Sequence, residues 1–119
     1  MEGYIYKIDE IAKITENVFI NNGVRRAYLF GSYAAGNPDP KSDIDIVMDT
    51  DGKMPYLRVC RVSEELREVL HKKVDLFDIR EIKPDSGMMR EITGKGVLLY
   101  EKERHGYTEE NDAVLPRSY

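Results

Sequence analysis

Asp43 and Asp45 stand two residues apart in the run DIDIVMD, and Asp75 stands in the run VDLFDI. Aspartate is a poor strand former, so acids inside apolar runs ask for a reason. Residues i and i+2 of a strand face the same way, about 6.5–7 Å apart. Two carboxylates so placed suit hard divalent cations such as Mg²⁺, which take oxygen ligands. An isolated D-x-D is equally at home on a solvated strand edge. Asp75 reaches the same cations if its strand lies beside that of Asp43 and Asp45. Three convergent carboxylates match what phosphoryl or nucleotidyl transfer needs. There, two metal ions about 3.5–4 Å apart clamp the attacking and leaving oxygens. Asp78 lies three residues beyond Asp75, falls on the opposite face, and reads as a polar residue near a strand end.

A second element of the pattern is Gly31-Ser32, directly after the apolar run RAYLF. Glycine lets backbone approach a phosphate closely, and the N–H groups opening a helical turn attract anions. A serine hydroxyl can donate to a phosphate oxygen. Gly-Ser pairs are also frequent in ordinary turns, so the pair acquires meaning only beside the acids.

These residues must be held by regular elements. Ile8, Ile11, Ile14/Thr15 and Val18/Phe19 recur at helical spacing, predicting a helix over 6–21 that ends at Asn21-Asn22-Gly23. Residues 26–30 form a strand, and Tyr33-Ala34-Ala35 a helical turn after Gly31-Ser32. Two prolines and Gly36 make 36–40 a loop. Residues 43–49 alternate as a strand. A helix over 55–71 follows, with Pro55 in its first turn and Val59, Val62, Leu66 and Val69/Leu70 as its apolar stripe. Residues 74–79 form a third strand. A short helix follows Pro84, passes Met88 and Met89, and is broken by Gly94 and Gly96. Residues 97–100 form a last strand. The order predicts an α/β (α+β) domain with a short mixed sheet flanked by helices. Cys60 reads as a small core or boundary residue, Met88 and Met89 as gap-filling core, and Tyr4, Tyr6, Tyr107 and Tyr119 as surface aromatics. Lys41 reads as a solvated loop lysine. His71 and His105 are too far apart in sequence to suggest a shared site.

The chain has 119 residues, 41% of them apolar and 34% charged, which suits one soluble domain over 1–119 with a core of about 8–101 and a polar tail at 102–119. With 18 basic and 22 acidic residues the net charge is −4, which argues against direct nucleic-acid binding. The single cysteine excludes an intrachain disulfide and favours a reducing, cytoplasmic setting. No basic and apolar leader opens the sequence, and no run is long enough to span a membrane.

The stretch LFGSYAAGNPDPKSDIDIVMD, with ten residues between Ser32 and Asp43, resembles the signature of the nucleotidyltransferase superfamily. The small minimal nucleotidyltransferases (MNT) are the most similar branch, and KKVDLFDI and EITGKGVLLYE extend the resemblance over roughly 8–101. The resemblance implies that Gly31 and Ser32 bind the triphosphate of ATP. It implies that Asp43 and Asp45 hold Mg²⁺, and that Asp75 is a third carboxylate, a metal ligand or the base for the acceptor hydroxyl. It departs at Ala35, where family members often carry arginine; a phosphate contact or an ion pair is thereby lost, but no metal ligand.

Such proteins are similar to antitoxins encoded beside helical HEPN proteins, many of them RNases. The resemblance therefore implies a protein adenylyltransferase that moves AMP from ATP to a tyrosine of a HEPN toxin. Added phosphodiesters would bring charge and bulk to a site that binds RNA. The short chain implies that the acceptor pocket is completed by another polypeptide, in a homo- or hetero-oligomer. Two rival readings are a catalytically silent antitoxin that acts by binding alone, and a stand-alone enzyme modifying a small hydroxyl compound such as an aminoglycoside.

Overall fold

The computed structural model describes residues 4–102. Helix α1 (Ile8–Asn21) leads into β1 (Arg26–Phe30), a short α2 (Gly31–Ala35), β2 (Ile44–Asp49), α3 (Tyr56–Leu70), β3 (Val74–Asp78), a 3-10 turn at Ile79–Glu81, α4 (Gly87–Lys95) and β4 (Val97–Glu101). The strands form one mixed sheet in the order β3-β2-β1-β4. β1 pairs antiparallel with β2 and β4, whereas β2 and β3 run parallel. Parallel neighbours need a crossover, and α3 supplies it. No described helix is long and apolar enough to cross a membrane.

Both faces of the sheet are covered. On one face, Ile11 and Phe19 of α1 and Val62, Leu66 and Leu70 of α3 pack on Leu29, Ile44, Ile46 and Val74. On the other, Ile92 of α4 and Ile82 pack on Phe30 and Val47, with Tyr28, Phe77 and Met89 around them. The alternation in DIDIVMD therefore separates two cores. Ile44, Ile46 and Met48 face the first, and Val47 faces the second, in line with Asp45.

Element ends differ from the sequence expectation for local reasons. α1 starts at Ile8 because the Glu10 carboxylate accepts the Lys7 N–H at 2.8 Å. The residue before it, Tyr6, is buried rather than a surface aromatic, and its hydroxyl donates to the Leu70 carbonyl at 2.7 Å. Pro55 is the N-cap of α3, and His71 closes that helix in the left-handed region with φ 54°. Gly94 lies inside α4; Gly96 ends it, where a Cβ would come within 2.4 Å of the Ile92 carbonyl oxygen. Cys60 is exposed rather than a core or boundary residue, and Met88 is 37% exposed rather than core, while Met89 packs on the second core. Tyr107, Tyr119, His105 and all of the predicted tail beyond residue 102 lie outside the described residues.

Candidate active site

β1 delivers Gly31 to the acids. Phe30, the last residue of β1, pairs with Asp45 across the antiparallel ladder, so the chain leaves the sheet beside that carboxylate. Gly31 has φ 76°, a left-handed conformation that glycine adopts without strain. An added Cβ there would lie 2.2 Å from Asp45 Oδ2. The glycine thus answers two demands at once, the turn and the close approach. It opens α2 itself, whereas the sequence placed Gly31-Ser32 just before a helical turn.

β3 delivers the third acid. In the parallel β2–β3 ladder, Asp45 is the register partner of Asp75, and both share a sheet face with Val47 and Phe77. Asp43 stands one residue before β2 rather than within it. Lys73, two residues before Asp75, places Nζ 3.8 Å from Asp43 Oδ2. The loop that carries Asp43 is tied to the loop before β3 by the buried Lys72, whose Nζ donates to the Pro40 carbonyl at 2.9 Å. Between these loops lies an open cleft of about 380 Å³ lined by Lys41, Ser42, Asp43, His71, Lys72 and Lys73.

The Asp45 carboxyl is pushed up to about 6. Burial is the main cause, followed by the charges of Asp75 and Asp43, a hydrogen bond with Asp75, and the charge of Glu91. Each of these penalises the ionised form. Among the described residues, no three His, Cys, Asp or Glu side chains are gathered as a finished cation site. The donor chemistry nevertheless fits Mg²⁺. The groups are hard oxygen donors, and their mutual repulsion is what a divalent cation would relieve.

Asp78 behaves as its parity requires. It is 1% exposed on the opposite side of β3, where it accepts from Thr50 Oγ1 at 2.7 Å and pairs with Arg80 Nε at 3.3 Å. It holds the strand end and takes no part in the acid group. Ala35 is exposed at the end of α2 and brings no basic group to the site.

One neighbour is absent from the sequence reading. Glu91 of α4 accepts the Gly31 N–H on its Oε2 at 3.1 Å. A surface glutamate beside a buried isoleucine carries no signal in sequence, because its position depends on α4 folding back across β1.

The four-stranded mixed sheet with its flanking helices is the fold of the minimal nucleotidyltransferases. Among solved structures, a toxin–antitoxin crystallised with AMP-PNP superposes with TM-score 0.67 at 23% identity, covering 79% of this chain and 76% of that one. An MNT antitoxin in complex with a tri-AMPylated Shewanella oneidensis HEPN toxin superposes with TM-score 0.63 at 19% identity, over 85% and 78% of the two chains. At these identities the likeness is one of fold.

The chain belongs to the polymerase beta nucleotidyltransferase family, whose model matches residues 10–105. A Methanocaldococcus jannaschii protein named as a protein adenylyltransferase, MJ0435, is 38% identical over 77 residues, 65% of this chain and 83% of the relative. A second protein of that organism named likewise, MJ1215, is 32% identical over 81 residues and covered to 94%.

Proposed function

We propose that the chain is a Mg²⁺-dependent protein adenylyltransferase that moves AMP from ATP to a tyrosine of a HEPN-type toxin and so acts as its antitoxin. The observation that carries the chemistry is the register Asp45–Asp75 beside Gly31, which concentrates carboxylates where backbone approaches closely. The acceptor and partner rest on the relatives named as protein adenylyltransferases and on the toxin–antitoxin neighbours.

In this reading Gly31 N–H and the Ser32 hydroxyl bind donor phosphate oxygens. Asp43, Asp45 and Asp75 would hold Mg²⁺, which would supply charge neutralisation on the transferring phosphoryl group. Asp75 is the third carboxylate in this reading, a metal ligand or the base that takes the acceptor proton. The tyrosine oxygen forms a bond to the α-phosphorus, the bond to the β-phosphate oxygen breaks, and pyrophosphate leaves. Lys73 draws on Asp43 and tempers the negative charge at the rim.

The test is transfer itself. The protein is incubated with a HEPN protein encoded beside it, Mg²⁺, and ATP labelled at the α or γ position. Label from the α position alone, with a mass gain of one AMP per event on the partner, is expected. Asp43→Asn with Asp45→Asn should abolish it while the circular dichroism of the fold is kept. A tight complex without label would support neutralisation by binding alone. Label on a small hydroxyl compound without any protein acceptor would favour the stand-alone enzyme. Retained transfer by the double variant would remove those two acids from the mechanism.

A further inference from the structure

The Gly31 N–H is not vacant for a phosphate. Glu91 Oε2 occupies it at 3.1 Å, and a carboxylate oxygen on a backbone N–H is chemically the same contact that a phosphate oxygen would make. The contact is built in by packing. Ile92, the next residue of α4, is buried against Phe30 and Val47, and Phe30 immediately precedes Gly31. The Ser86 hydroxyl caps α4 by accepting the Met89 N–H at 3.1 Å, and Gly96 closes it tightly on the Ile92 carbonyl. Glu91 is exposed, so once its bond to Gly31 breaks its carboxylate meets solvent, while the buried Ile92 keeps the helix in place.

We infer that Glu91 is an internal anion that holds the Gly31 N–H until a donor phosphate displaces it, and thereby sets how tightly the site takes nucleoside triphosphates. The inference rests on the reading of Gly31 and Ser32 as the donor-phosphate turn. Two costs fall on the incoming triphosphate. It must break the Glu91 contact, and it must approach a carboxylate that adds to Asp43, Asp45 and Asp75. Both costs fall on the phosphates and neither on the nucleoside, so Glu91 tunes affinity without touching the reacting atoms.

The experiment compares wild type with Glu91→Gln and Glu91→Ala by calorimetric titration, using ATP and, separately, adenosine. Thermal melts check that each variant is folded. Both variants should bind ATP about three- to tenfold more tightly, in line with the loss of one competing charge-assisted contact. Adenosine, which has no phosphate to compete, should bind all three proteins alike. Unchanged or weaker ATP binding by folded variants would overturn the inference and leave the proposed function standing. So would an equal gain for adenosine, which would mark a general loosening of the pocket. If wild type and both variants alike fail to bind ATP, with or without Mg²⁺, the nucleotide reading itself falls and takes this inference with it.

Discussion

At the residue scale, Gly31 and Asp45 are constrained by one another. Gly31→Ala introduces a Cβ 2.2 Å from Asp45 Oδ2 at φ 76°, so either the turn or the carboxylate must move. The variant should lose transfer activity by at least about a hundredfold, since misplacing a group by about 1 Å costs that much. A steady-state assay with α-labelled ATP checks it, and near wild-type activity would show that the close approach is dispensable. Asp45 itself carries a stability cost. Its carboxyl titrates near 6 when folded and near the ordinary 3.8 when unfolded. The folded state therefore binds the proton more tightly, and stability falls as pH rises from about 4 to 6. Below about pH 4 both states are protonated and the cost vanishes. Asp45→Asn should thus be more stable than wild type at pH 7.5 in EDTA, by about 1 kcal/mol once solvent screening of a half-buried group is allowed for. The two melting temperatures should converge below pH 4. A variant less stable than wild type at neutral pH would show that the carboxylate earns compensating bonds there.

At the element scale, helix α4 decides what faces the acids, because it covers the second core and carries Glu91. Ile92→Ala should cost about 2–5 kcal/mol, the range for truncating a buried isoleucine. Hydrogen exchange should speed up in α4 and β1 more than in α1 or α3. Denaturant unfolding with exchange mass spectrometry measures both, and uniform loss of protection would argue against a separately held second core. The strands were legible in the sequence because period-two alternation places side chains by simple parity, and that same parity separated Asp78 from Asp75. That Asp45 and Asp75 meet on one sheet face was legible because acids in apolar runs stand out, and Gly31 could be placed beside them because it directly follows an apolar run. Glu91, buried Tyr6 and the Lys72–Pro40 tie were not, since each depends on how distant segments dock. Cys60 and Met88 were misplaced for a related reason. Helical spacing gives the buried stripe, but residues at its border are assigned by neighbours that spacing does not contain.

At the scale of the whole molecule, the charge balance sets a condition on any triphosphate. The chain carries net charge −4, and Asp43, Asp45, Asp75 and Glu91 concentrate part of that charge around the Gly31 turn. ATP brings further negative charge to the same place. Lys73 offsets one carboxylate at 3.8 Å, but as a solvated ion pair its contribution is small. Nucleotide binding should therefore be coupled to a divalent cation rather than independent of it. ATP is expected to bind at least about tenfold more tightly in Mg²⁺ than in EDTA, a coupling of about 1.4 kcal/mol. Linkage requires the reciprocal effect, so ATP should tighten Mg²⁺ by the same factor. Raising the salt in EDTA shortens the Debye length and should recover part of the lost affinity, because screening weakens the same repulsion. Titrating ATP against the protein under the three conditions, and Mg²⁺ against it with and without ATP, tests the whole cycle. Equal affinity in Mg²⁺ and EDTA would mean that the cations of the loops before β2 and β3 already neutralise the site, and the carboxylates would then need another role.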